Sequence, residues 1–255
     1  MSTPPTNALG ATIARIAAPA DHPDSPRSGL TGALGELDVW WAQRTGSARP
    51  IAQVIVTGTV TGTDAMSAED ALIAGLSEAD RAIDSGATLI VPRAGSRDLV
   101  TARSIIGLLT KRDAAAVTHQ PEGMPDAEWM ASCAAVRDLM ADHRDLIGDQ
   151  VAMLQALQAQ HIATVAGILI GAAARGTPCL IDGTDEWAGA LVADRLAHRA
   201  RHWWRAAATS ADPARTAARA RIDLPAGLPL GLTDEEGWGA RAIVTLLDLI
   251  APTSD

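Results

Sequence analysis

Phenylalanine and tyrosine are absent from this 255-residue chain, and Lys111 is its single lysine. The core must therefore be aliphatic, with seven tryptophans as the only bulky aromatic side chains, and positive charge must come from arginine. Two cysteines, Cys133 and Cys179, are too few for a disulfide framework. The longest uncharged apolar run, residues 162–174, falls short of the ~20 residues that a membrane-spanning helix needs. A basic stripe is missing too, and a net charge of -9 argues against a general nucleic-acid binder. The opening MSTPPTNALG lacks the basic and apolar regions of a signal peptide, so a cytoplasmic protein with no membrane partner is expected.

What is present describes a folded chain, 47% hydrophobic and 20% charged, long enough for a large α/β domain with a small appendage. Residues 157–196 organise it. A small-residue apolar helix (162–174) stops at Arg175-Gly176, Thr177-Pro178 turn the chain, and Cys179-Leu180-Ile181 form a buried strand ending in Asp182-Gly183. Cys179 reads there as a small hydrophobe, and Gly167 and Gly171 as sites of close helix packing. A second helix begins near Asp185.

Earlier in the chain, helices are predicted over 9–16, 33–44, 68–84 and 99–110, with Ser67 and Asp70 capping the third. Strands are predicted at 51–56, 87–91, 114–118 and 202–208, with residues 92–98 a loop and residues 57–63 a flexible threonine-glycine connection. Helices follow at 125–140, 149–158, 213–221 and 236–250. Strands alternating with helices imply a three-layer α/β fold, its mostly parallel sheet covered by helices on both faces. The expected organisation is a tail (1–8), an N-terminal helical part (9–50), an α/β core (51–232), and a closing helix (233–255) that packs with the N-terminal part as a small helical subdomain.

Taken alone, the candidate site residues are ambiguous. Asp182-Gly183 lies where ligands bind in open α/β sheets, outside a strand's carboxyl end, yet Asp182 could equally cap the next helix. Glu235 and Glu236, at the start of the last helix, are good capping acids in their own right. Asp194, His198 and His202 recur at helical spacing, but the helix breaks before His202, so no metal is expected. Arg199, Arg201 and Arg205 read as covers for Trp203 and Trp204, with anion binding the sharper alternative. Ser96 lacks the context of a hydrolase nucleophile.

Residues 157–196 resemble the nicotinate-nucleotide:dimethylbenzimidazole phosphoribosyltransferase family of cobalamin lower-ligand assembly. So do Leu30-Thr31-Gly32-Ala33-Leu34-Gly35-Glu36-Leu37 with Trp40-Trp41-Ala42 and Arg49-Pro50, residues 82–90, and Glu236-Gly237-Trp238-Gly239-Ala240. The resemblance implies an α/β fold, a homodimer, a nucleotide and an aromatic base as small-molecule partners, and no cofactor. It also implies the reaction, in which the base nitrogen displaces nicotinate from C1′ of nicotinate mononucleotide to give α-ribazole phosphate. Glu236 would be the general base, with Gly237 and Trp238 beside it. Arg93, Gly95, Ser96 and Arg97 would stand at the phosphate, and Asp182 and Gly183 at the ribose.

The chain departs from that pattern in several places. A glycine-aspartate-histidine-glycine block and the segment lining the base pocket are missing between residues 56 and 67. The phosphate-side loop reads Pro92-Arg93-Ala94-Gly95-Ser96-Arg97-Asp98, with one glycine left and arginine where the family has an acid. His119-Gln120-Pro121-Glu122-Gly123 replaces a glycine/arginine-rich loop, and Thr184-Asp185-Glu186 replaces apolar residues followed by a small hydroxyl one. Trp238 stands where the family has a small residue, and reads more readily as a plug or core residue than as a ligand stack. Two classes of function follow: the phosphoribosyl transfer itself, or a catalytically degraded relative serving as a binding, partner or regulatory protein.

Overall fold

The computed structural model describes residues 6–19, 29–46, 49–57, 66–94, 99–233 and 235–251. The start of the expected tail, most of the loop at 18–28, the connection at 58–63, and Gly95, Ser96 and Arg97 lie outside them.

Four parallel strands, β1 (Ala52–Thr57), β2 (Leu89–Ala94), β3 (Cys179–Ile181) and β4 (Trp204–Ala206), lie side by side in chain order. Parallel neighbours need crossovers, and helices supply them. α3 (Ala68–Asp84) joins β1 to β2. α4 (Leu99–Thr110), α5 (Asp126–His143), α6 (Gln150–Ala156) and α7 (Gln160–Ala174) join β2 to β3, and α8 (Thr184–Leu196) joins β3 to β4. Before the sheet come α1 (Thr6–Ala14) and α2 (Gly32–Thr45); after it come α9 (Pro213–Arg221) and α10 (Trp238–Ile250).

Side chains alternate across a strand, and here they divide the core in two. Ile55, Ile90, Cys179 and Ile181 enter the larger cluster with α3, α4, α7 and α8. Leu89, Val91 and Leu180 meet Leu37, Trp40 and Trp41 of α2 and Ala240, Ile243 and Leu247 of α10. The result is a three-layer α/β fold. Each fully buried Leu or Ile contributes ~1.5–3 kcal/mol relative to exposure, so aliphatics suffice without Phe or Tyr. Cys179 is fully buried, and that burial pushes its thiol pKa up, which keeps it inert.

α7 explains its own uncharged sequence, since nearly every residue from Ile162 to Ala173 is buried. It lies against α3 with backbones touching: a Cβ on Gly75 would stand 2.2 Å from Thr164 O, and one on Gly167 2.1 Å from Leu72 O. Ser67 caps α3, accepting from Asp70 N at 3.0 Å.

Three expected elements differ. Residues 114–118 form no strand, because Asp113 Oδ1 accepts from Ala116 N at 2.9 Å and winds Ala115–Val117 into a 3-10 turn. β4 is shorter than 202–208, since a 3-10 segment, His198–Trp203, occupies the approach. β2 is longer, taking Pro92, Arg93 and Ala94 out of the expected loop to pair with Ile55, Val56 and Thr57. Proline is tolerated there: Ile90 N–H donates toward β3, and Pro92 faces the same side beyond the last β2–β3 pair, Ile90↔Cys179.

Candidate active site

The carboxyl ends of β2 and β3 meet two loops, one entering α8 and one entering α10. Each loop supplies a carboxylate that caps the other's helix. Asp182, directly after β3, is 5% exposed, and its Oδ2 accepts from Ala240 N in the first turn of α10 at 2.9 Å. Glu235, ahead of α10, accepts from Thr184 N at 2.8 Å and Thr184 Oγ1 at 2.7 Å, at the first residue of α8. A carboxylate at a helix amino end satisfies free N–H groups and favours the dipole. Asp182 is thus a capping residue, but of the last helix rather than the next one.

Two arginines complete this lock. Arg215, from α9, is 3% exposed and donates to Glu235 Oε1 and, at 3.2 Å, to Thr184 Oγ1. Arg93 reaches from β2 to the carbonyls of Asp182 (3.3 Å) and Glu235, so its guanidinium ties the two loops together. It lies against Gly237, where a Cβ would stand 2.8 Å from Arg93 Nη1. Gly183 has φ +107, and a Cβ there would meet Glu186 Oε2 at 2.0 Å, so only glycine lets β3 turn into α8 beside that carboxyl.

Glu236 precedes α10 and is not in its first turn. It is exposed, at the mouth of a cleft of about 340 Å³ lined by Val54, Val91, Arg93, Gly237, Arg241 and Val244, among others. Trp238 does not plug this cleft. It is 54% exposed, and Arg241 Cζ lies 4.9 Å from its ring centroid, so the plug or core reading is overturned. Of the expected site residues, Arg93, Glu236 and Gly237 line this cleft, whereas Asp182 and Gly183 are buried behind Arg93 and Trp238 is not among its lining residues. Asp194 and His198 meet at 3.0 Å, whereas the carbonyl of His202 is taken by Arg44. Among the described residues, no group of three or more His, Cys, Asp or Glu is placed to hold a metal ion.

Glu186 was not singled out as a site residue by the sequence. It is 2% exposed, and its Oε1 accepts from Ala94 N at 2.6 Å, holding the end of β2. Burial pushes its carboxyl up to about 8; Asp185 adds to this, while Arg93 and the Ala94 N–H oppose it. The available signal was the acidic pair Asp185-Glu186, one residue beyond a strand's Asp-Gly, within the Thr184-Asp185-Glu186 stretch that departs from the expected apolar and small hydroxyl residues. Between about 4.5 and about 8 the folded state holds a proton that the unfolded chain has released. Rising pH through that window therefore favours unfolding. Glu186→Gln is expected to melt higher than the wild type at pH 8 and close to it at pH 5. Parallel melting curves for the two proteins across this range would disprove the assignment.

Comparison with known proteins adds to this geometry. The sequence model of a phosphoribosyltransferase family matches residues 55–253. The nicotinate-nucleotide–dimethylbenzimidazole phosphoribosyltransferase of Streptomyces avermitilis is 38% identical over 186 residues, covering 72% of this chain and 50% of that protein. Its counterpart in Mycobacterium avium is 36% identical over 195 residues, covering 75% and 56%. The crystal structure of CobT from Thermus thermophilus matches with a TM-score of 0.65 at 28% identity, over 72% of this chain and 55% of that one. The chain spans about half the length of the curated relatives it matches.

Proposed function

Because the chain belongs to the phosphoribosyltransferase family whose members include the nicotinate-nucleotide–dimethylbenzimidazole enzymes, we propose that it transfers phosphoribose from nicotinate mononucleotide to dimethylbenzimidazole or a similar aromatic base. The product is α-ribazole phosphate, a component of cobalamin assembly. The C1′–N bond to nicotinate breaks, the C1′–N bond to the benzimidazole forms, and the benzimidazole N–H proton passes to Glu236. The nicotinate ring leaves as a neutral pyridine, so the bond electrons need no further acceptor.

One observation carries this reading: Glu236 stands exposed at an open, partly apolar cleft beside Gly237, with Val54 and Val244 on its wall to meet a flat base. A carboxylate there can take a proton from a bound base, while its neighbour Glu235 holds Thr184 and Arg215. Arg93 supplies positive charge at the same cleft, on the side where the mononucleotide's phosphate would approach. Gly95, Ser96 and Arg97, directly after β2, belong to the same proposed phosphate contact, and Asp182, Gly183 and Trp238 to the residues around the proposed substrate. The protein acts as a homodimer in the cytoplasm. None of its described helices is long and apolar enough to cross a membrane.

The test is direct. Purified protein with nicotinate mononucleotide and dimethylbenzimidazole is expected to release nicotinate and form α-ribazole phosphate in equal amounts, followed by chromatography. Absence of both products, with the protein folded and both substrates varied, would overturn the transfer and favour a binding or partner role.

A further inference from the structure

A second concave region lies at the opposite edge of the same helical layer. It is a groove of about 700 Å³ along α2, lined by Gly32, Gly35, Val39, Trp40, Arg44 and Arg205, among others. It shares no lining residue with the Glu236 cleft, which lies over β1 and β2. Arg205 belongs to β4, and Arg44 to the last turn of α2.

The chemistry of this groove is unbalanced. Arg205 Cζ lies 5.8 Å and Arg44 Cζ 5.2 Å from the ring centroid of Trp40, so two guanidiniums share one indole. Arg44 spends donors on His202 O and Trp40 O. Arg205 is 3% exposed and Trp40 6% exposed, and among the described residues Arg205 Nε and Trp40 Nε1 are buried donors without an acceptor. Among the described residues, neither arginine forms an ion pair, and the carboxylate whose charge Arg205 feels is Glu36, on the groove wall. Burial, and then the charge of Arg205, brings the Arg44 guanidinium down to about 10, the direction expected of cations short of a counterion. Cation–π contact offsets only ~0.5–2 kcal/mol per guanidinium, less than burying a charge unpaired costs. Arg205 was expected to cover Trp203 and Trp204; it lies over Trp40 instead.

We propose that this groove is a binding site for a phosphate dianion, its oxygens held between Arg205 and Arg44. Phosphate offers more oxygens to two guanidiniums than a single carboxylate does, and Glu36 on the wall offsets only one of the two positive charges. The groove follows α2 from Gly32 to Arg44, ~18 Å at 1.5 Å per residue, far longer than phosphate itself. That length favours a phosphate monoester whose organic part lies along Gly32, Gly35 and Val39. This site is independent of the proposed transfer reaction.

Isothermal titration at constant ionic strength tests it with two probes, inorganic phosphate and glycerol 3-phosphate. Saturable binding is expected for both, the ester several-fold tighter, and acetate at the same concentration is expected to give none. Arg205→Met and Arg44→Gln are each expected to weaken binding at least tenfold. Arg44 is only half buried, so its variant carries the test even if Arg205→Met fails to fold. No saturable heat with the wild type, an equal response to acetate, or unchanged binding by folded Arg44→Gln would each overturn the site. Equal affinity for the two probes would overturn the ester and leave free phosphate as the ligand.

Discussion

Gly167→Ala is expected to destabilise the protein by about 3 kcal/mol, the upper part of the range for overpacking. In an isolated helix the same change would stabilise, since glycine costs ~1 kcal/mol relative to alanine. Contact with α3 reverses the sign. The new methyl would stand 2.1 Å from Leu72 O and 3.0 Å from Gly75 Cα, both backbone atoms that cannot rotate away. α3 and α7 would have to separate, and the buried row Leu72, Leu76 and Ala79 against Ile168 and Ala172 would loosen with them. Urea denaturation should show a lower midpoint with little change of slope. Gly10→Ala is the control: it sits in a helix with nothing within 4 Å of its Cβ position, and should gain ~0.5–1 kcal/mol. A loss below ~1 kcal/mol in Gly167→Ala would mean that the two backbones are not in contact.

The second large effect concerns the proposed chemistry. Glu236→Gln should lower kcat/KM for α-ribazole phosphate formation by ~10²–10⁴, the usual contribution of a general base. Its side chain is exposed, so stability should change by no more than ~0.5 kcal/mol. Glu235→Gln should behave the other way. It weakens the acceptor of Arg215, a buried guanidinium, and the cap on α8, at a cost of ~1–3 kcal/mol. Measured side by side, the adjacent pair separates a residue that takes a proton from one that holds loops together. Turnover by Glu236→Gln at the wild-type rate would remove Glu236 as the base.

Several features were readable from residue order because they depend on near neighbours. α4 and α9 occupy 99–110 and 213–221 as expected, one marked by its apolar face and the other by Asp212 and Pro213 at its start. Ser67 caps α3 across three residues. The small residues of α7 signalled close packing, although not that Gly75 would be the partner of Gly167. Arg93 was harder to place, because a proline and two glycine-adjacent positions suggest a loop. The strand persists there because β1 lies alongside as far as Thr57. Trp238 shows the limit of substitution arguments: a large residue in place of a small one suggests a filled pocket, yet its ring lies at the surface beside Arg241.

By itself, the sequence determined the alternation of strands and helices, the two-sided burial of the sheet, and which segments carry the family's motifs. These follow from periodicities of two and 3.6 residues and from local caps. Only the tertiary structure decided what Asp182, Glu235, Arg93 and Arg205 do. Asp182 meets Ala240 across 58 residues, Glu235 meets Thr184 across 51, and Arg93 meets Glu235 across 142. A hydrogen bond reaches about 3 Å, so the partner of a polar side chain is whichever group the packed sheet and helices bring within that distance. Sequence spacing carries no record of it.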